Sequence, residues 1–234
     1  AEGKAKLGVS DRDTLKKVIK GWVKILKDHS ITGGQLTDYG TAGMVNGCNA
    51  AHVLTTRNFQ QGTWEHADDI SGETLADKHL VKNDGCRSCP IRCGRVVKHG
   101  DRNIKGPEFE TIGMFGSSMN NRSLENIIEW NHLADDWGMD TITLGSTIAC
   151  AMELKDNGRL DELPVSFDDH EGVSQLIEDI ALRRGIGDRL AEGSLRLATS
   201  VGMPEASMTS KGLEFAAYEP RNSAGHGLGY AVSN

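Results

Sequence analysis

Three of the chain's five cysteines fall within eight positions, in the stretch NDGCRSCPIRCGR, as Cys86, Cys89 and Cys93. Gaps of two and three residues let one compact turn carry three thiolates to a common centre, which still needs a fourth ligand. Zinc usually takes its ligands as pairs, CxxC with a distant CxxC or HxxxH, and the chain offers no second pair; His99 is the nearest nitrogen ligand. Three crowded cysteines completed by a distant fourth is a common iron–sulfur arrangement. The reverse order, CxxxCxxC, would suggest radical chemistry with S-adenosylmethionine, and this chain has the other order. Arg87, Arg92 and Arg95 are expected to offset the negative charge of a thiolate-ligated cluster. Cys48 is an open candidate for the fourth ligand, whereas Cys150 sits mid-helix among small residues and reads as packing.

Carboxylates supply the other candidates. Glu129 and His132 are three residues apart and project to one side of a helix, with Leu124, Ile127, Ile128, Ala134 and Trp137 on the side facing the core. Taken alone, such a pair is a solvated helix face. Asp140 directly precedes TITLGSTIA and, taken alone, caps a helix by accepting from backbone N–H groups. Glu108 and Glu110, in GPEFET, are on the ordinary reading exposed turn carboxylates.

These groups must be positioned by a chain of 234 residues that is 38% hydrophobic, 25% charged and 5% aromatic, with a net charge of −7. That composition buries one good core or two modest ones. The acidic balance argues against nucleic acid, whose phosphates need clustered Lys and Arg. No apolar run approaches the roughly 20 residues that span a bilayer, and the N-terminus lacks a signal-peptide core, so no membrane partner and a cytoplasmic location are expected. A first residue other than Met fits processing or a cut fragment. Helical periodicity dominates. DRDTLKKVIKGWVKILKDH is amphipathic, with Asp11 or Asp13 as cap. RSLENIIEWNHLADDWGMD and DTITLGSTIACAMELKDNG make two successive helices, the second stopped at Asn157-Gly158. GVSQLIEDIALRRG and GDRLAEGSLRLATSVG make two more. Between residues 31 and 64 a Gly-, Thr- and Asn-rich stretch reads as a long ordered loop with short helical turns. Only RVVKHG and a few residues around Phe109 resemble strand, so the fold class is mainly α.

CRSCPIRCGR, then GPEFETIGMFGS and LADDWGMDTITLGSTIACAMEL, resemble the tungsten-containing aldehyde:ferredoxin oxidoreductase family. TTRNF upstream, GIGDRLAEG downstream and the final KGLEFAAYEPRNSAGHGLGYAVSN extend the likeness over about residues 36–234. The resemblance implies a helical middle domain over 1–214, carrying the cluster cysteines and the first pterin motif, and the start of a C-terminal helical domain over 215–234. It implies oxidation of a small aldehyde to a carboxylic acid at tungsten or molybdenum held by two pterin dithiolenes (a bis-molybdopterin). Electrons would leave through a [4Fe-4S] cluster to ferredoxin or another electron-transfer protein. Cys86, Cys89 and Cys93 match the family's clustered cluster ligands, and the family's fourth cysteine lies beyond residue 234. Asp135 and Asp140 match the two acids of the DxxGLD pterin motif, with Met139 in place of Leu, a volume-conserving change.

Glu110 matches the family's active-site glutamate and is expected to act as a general base with a raised pKa. The family's partner acid, a histidine, falls shortly after residue 234; His226 lies near that position without matching it. Glu129 and His132 match an ExxH that, in dimeric members, supplies ligands to a metal bridging two subunits of a homo-oligomer. Glu219 stands where the family commonly has Asp, which leaves it without an assigned ligand role. As a fragment, this polypeptide alone is expected to be inactive. The rival expectations are a noncatalytic iron–sulfur electron-transfer module, a relative that reduces aromatic thioesters, and a zinc-stabilised helical domain.

Overall fold

The computed structural model describes residues 8–232. Asp11 starts the first helix, α1 (Arg12–Asp28), by accepting from the N–H groups of Asp13 and Thr14, so of the two expected caps Asp11 serves. The Gly-rich stretch that follows is a chain of short turns, as expected. A π-helical turn at Ser30–Gln35 leads into α2 (Leu36–Tyr39), a 3-10 turn at Thr41–Gly43 and α3 (Met44–Ala50). Gly40, at φ 66°, allows the reversal between two of them, and a Cβ there would lie 2.5 Å from the carbonyl oxygen of Cys93. Only glycine meets both demands. A further helix, α4 (Gly72–Lys78), has Ser71 as its cap.

Strand content exceeds the expectation. β1 (Leu80–Asp84), β2 (Gly94–His99) and β3 (Arg102–Lys105) form an antiparallel sheet with β2 in the middle. Only β2 shows the alternating apolar pattern that makes a strand readable; the flanking strands are largely exposed and polar. The residues around Phe109, expected as strand, are instead α5 (Phe109–Phe115). Their apolar run is buried on all sides, and a short buried run does not distinguish strand from helix by period.

α6 (Leu124–Trp137) and α7 (Thr141–Asp156) fall where their periodicity places them. α7 is the centre of the core, with Ile148, Cys150, Met152 and Leu154 fully buried. Gly145 lets α5 approach it, since a Cβ would come within 2.6 Å of Met114. Leu124, Ile127, Ile128 and Ala134 face the core as expected, but Trp137 is 43% exposed, because it lies at the end of the helix beyond the packed face. α8 (Val173–Ala181) follows. The single helix expected from GDRLAEGSLRLATSVG is two, α9 (Ile186–Leu190) and α10 (Ser194–Ser200), broken where Gly193 takes φ 86°. A short hairpin of β4 (Thr209–Ser210) and β5 (Leu213–Glu214) precedes α11 (Ala224–Val232). Among the described residues no helix is long and apolar enough to cross a membrane.

Candidate active site

Residues 85–93 leave the sheet as one loop, because the β1–β2 hairpin closes at the Asp84–Gly94 pair. The N–H of Cys89 donates to the carbonyl of Cys86 at 3.0 Å. Ser88 and Arg92 adopt left-handed φ of 65° and 55°, conformations that side-chain-bearing residues adopt seldom and that cluster at functional loops. Cys86, Cys89 and Cys93 are free thiols, the first exposed and the others half-buried. Burial, then the charges of Glu108, Cys89 and Cys86, push the Cys93 thiol up. Among the described residues no three His, Cys, Asp or Glu side chains are arranged to hold a metal ion. The three thiols share one loop, and as a donor set three thiolates awaiting a further ligand suit an iron–sulfur cluster.

Burial works against the charged form of Arg95, Glu108 and Cys93 favour it, and two of the arginines also hold the loop's backbone. Arg95 is 3% exposed and bonds the carbonyls of Leu36 and Thr37 at 2.9 and 3.1 Å, fastening α2 to the exit of the cysteine loop. Arg92 donates to the carbonyl of Asn83 and pairs with Asp84. Cys150 is fully buried, its thiol pushed up to about 12 by desolvation, in keeping with a packing role. Cys48, the open candidate for a fourth ligand, is buried too, and its charged neighbour is Glu110.

Glu108 and Glu110 straddle the start of α5. The Thr41 hydroxyl donates to Glu108 Oε2 and accepts from the N–H of Phe109, and the Glu108 charge acts on Cys93 and Arg95. Glu110 points elsewhere: its Oε2 accepts from the N–H of Ala217 at 2.7 Å. Burial raises the Glu110 pKa, the Ala217 N–H and His226 oppose the rise, and Asp140 adds to it. Neither glutamate is the exposed turn carboxylate of the ordinary reading. Around Glu110 lie rings from the last segment. Tyr218 packs on Phe109 and His226, with centroids 4.9 and 4.7 Å away, and Phe215 stacks on Tyr230 at 4.2 Å.

The turn Gly138–Asp140 links α6 to α7. Gly138 ends α6 at φ 69°, and Asp140 Oδ2 caps α7 by accepting from the N–H of Thr143 at 2.7 Å. Asp135 is exposed and pairs with Lys105 at 3.3 Å. A cavity of about 250 Å³ opens beside the cap, lined by Met139, Asp140, Thr143, Leu144, Thr147 and Leu190, among others. The Thr147 hydroxyl is buried without a hydrogen-bond partner. An apolar slot with the Asp140 carboxylate at its rim suits a flat, polar-edged ring such as a pterin. A second cavity, about 570 Å³, shares Thr143, Ala191 and Gly193 with the first.

Glu129 and His132 are not a solvated face. Glu129 Oε2 lies 2.6 Å from His99 Nε2 on β2, and His132 lies 3.7 Å from Asp136. The His99 and His132 rings are 6.1 Å apart. The sheet covers this side of α6, which an isolated helical pattern does not foretell. Glu219 is 1% exposed and clasped by the Nε, Nη2 and backbone N–H of Arg221 at 2.7, 2.7 and 2.9 Å. This pairing occupies both of its carboxylate oxygens. Ala217 is the partner of Glu110 that sequence reasoning did not find, whereas His226, noted from the sequence as near the partner acid's position, acts on Glu110 through its charge.

Residues 17–234 match the family model described as aldehyde ferredoxin oxidoreductase, domains 2 and 3. The chain is 43% identical over 240 residues to the tungsten-containing aldehyde ferredoxin oxidoreductase of Thermococcus kodakarensis, an alignment covering 100% of this chain and 40% of the relative. The enzyme of the same name from Pyrococcus furiosus is 42% identical over the same shares. Among solved structures, the active-site complex BamBC of benzoyl coenzyme A reductase, with 1,5-dienoyl-CoA, superposes with a TM-score of 0.67 at 19% identity, over 88% of this chain and 34% of that one; this likeness is one of fold. The chain thus spans about two-fifths of the length of the curated relatives it matches. With the family model matched over residues 17–234, the chain belongs to the aldehyde ferredoxin oxidoreductase family.

Proposed function

We propose that this chain is the part of a tungsten or molybdenum bis-pterin oxidoreductase that oxidises an aldehyde to a carboxylic acid and passes the electrons through a [4Fe-4S] cluster to ferredoxin. The observation that carries this reading is the first turn of α5. Glu108 acts on Cys93 on one side, and two residues on Glu110 shares a field with Asp140 on the other. Glu108, at the cap of α5, and Glu110, in its first turn, thus act on the proposed cluster ligand and the proposed pterin contact from neighbouring positions.

The bis-pterin metal, when bound, supplies the two-electron acceptor. Cys86, Cys89 and Cys93 would hold three corners of the cluster, and Asp140, with Asp135 of α6 once released from Lys105, would accept hydrogen bonds from pterin N–H groups. Glu110 takes a proton from the hydrated aldehyde. Its burial suits this, because a base is most effective with a pKa near working pH. The Ala217 N–H fixes Oε2 and leaves Oε1 to receive the proton. Glu129 and His132 offer two ligands per chain, which a two-fold copy would make four; His99 is the group they would have to release.

Elemental analysis and electron paramagnetic resonance of the full-length protein test the reading. About four irons and one tungsten or molybdenum per chain are expected. Iron without either heavier metal would leave only an electron-transfer module.

A further inference from the structure

We infer that Arg221 and Gly113 are positioning residues for Glu110: from two different elements they set the peptide of Ala217, whose N–H fixes one oxygen of the Glu110 carboxylate. The inference rests on Glu110 acting as the base. A glutamate side chain turns about several bonds, so a base held by one hydrogen bond is only as well placed as its donor.

The first support is α5 itself. Gly113 stands one turn beyond Glu110 on the same side of the helix. It lets the chain at Ala217 lie against α5, since a Cβ there would come within 2.6 Å of the Ala217 Cβ. The second support is the segment that follows α3. Leu54 forms an antiparallel bridge with Tyr218, and the Glu219 N–H donates to the Val53 carbonyl at 2.8 Å. Arg221 locks this pairing. Its Nε and Nη2 grip the two oxygens of Glu219, each at 2.7 Å, and Nη2 also donates to the Phe59 carbonyl.

That carbonyl is itself fixed. Arg57, Asn58 and Phe59 take left-handed φ of 46°, 49° and 62°, a run that side-chain-bearing residues keep only where surrounding contacts enforce it. The N–H groups of Arg57 and Asn58 donate to the carbonyls of Ser117 and Ser118 at 3.0 and 2.9 Å, in the turn just past α5, and Asn58 Nδ2 donates to the Ala206 carbonyl at 2.7 Å. Contacts therefore join every step of a circuit from Glu110 along α5, through Phe59, Arg221 and Glu219, and back to Ala217. A planar fork is what lets one side chain span a carboxylate and a carbonyl together.

The titratable groups that share a field with Glu110 are Asp140 at the α7 cap, His226 and Tyr230 on α11, Cys48 on α3, and Tyr218. Arg221→Lys leaves all of them in place and keeps its own charge, so a change at Glu110 reports geometry.

The test uses Arg221→Lys and Gly113→Ala in the full-length protein. An ammonium cannot bond both Glu219 oxygens and the Phe59 carbonyl as the fork does, and a methyl at Gly113 pushes on Ala217 directly. Infrared titration of the Glu110 carboxyl, assigned by its disappearance in Glu110→Gln, should move to higher pH in both variants, because the hydrogen bond to the ionised form is weakened. The acid limb of the kcat profile should move with it, and kcat on its plateau should fall about tenfold with KM little changed. Cys150→Ala, a control that loses packing in α7, should melt earlier and leave the Glu110 titration where it is. An unmoved Glu110 titration in either variant overturns the inference, as does an equal shift in Cys150→Ala; should Arg221→Lys not fold, Gly113→Ala decides. If Glu110→Gln keeps full turnover while the titration shifts as expected, the base reading falls and the hold on the carboxylate stands.

Discussion

The backbone N–H of Ala217 reaches across the fold to Glu110 Oε2 at 2.7 Å, so residues more than a hundred positions apart share one hydrogen bond at the candidate active site. Folding it buries a carboxylate that would otherwise be an unremarked member of a helix's first turn. Its raised pKa follows from that burial.

Replacing Glu110 by Gln should cut turnover about a hundredfold or more while tungsten or molybdenum and iron content stay unchanged. The pH profile carries a sign. Because the folded pKa is raised, the base form is lost as pH falls through that raised value, so wild-type turnover should decline on the acid side. Stability should run oppositely: the contribution from protonated Glu110 is complete below the unfolded pKa and is lost as pH rises through the folded one. Glu110→Gln should flatten that slope in melts taken across pH.

Alanine at Cys86, Cys89 or Cys93 should lower iron content and bleach visible absorption. Cys150→Ala should leave iron untouched and cost about 1 kcal/mol of stability, because its thiol is fully buried in α7. Iron assays alongside thermal melts separate the two outcomes.

Asp140 has a cap role and a proposed cofactor role, and two substitutions divide them. Asp140→Ala removes the acceptor of the Thr143 N–H and should cost about 1 kcal/mol. Asp140→Asn caps nearly as well, so its melting temperature should stay near wild type. Its heavy-metal and pterin content should fall, since an amide is a weaker acceptor than a carboxylate.

Arg221→Ala should leave Glu219 charged and 1% exposed without its partner. A loss of about 2 kcal/mol is expected, below the range for fully buried pairs because Arg221 is 65% exposed. Replacing Glu219 as well, by Gln in the double variant, should recover part of it in denaturant titrations.

Local sequence fixed the pieces whose physics is local. The periods of α6 and α7, the Asp11 and Asp140 caps and the CxxCxxxC loop were legible because each depends on neighbours within a few residues. The α9–α10 break was not, since Gly193 sits in a pattern that otherwise propagates a helix. Nor was the strand expected at Phe109 correct, because a fully buried run has no polar phase to reveal its period. What only the tertiary structure decided was company: Ala217 at Glu110, His99 at Glu129, Arg221 at Glu219. Residue types and spacing set what each side chain can do. The long-range packing that sets burial and charge decides which of those capacities is used, and no window of sequence contains it.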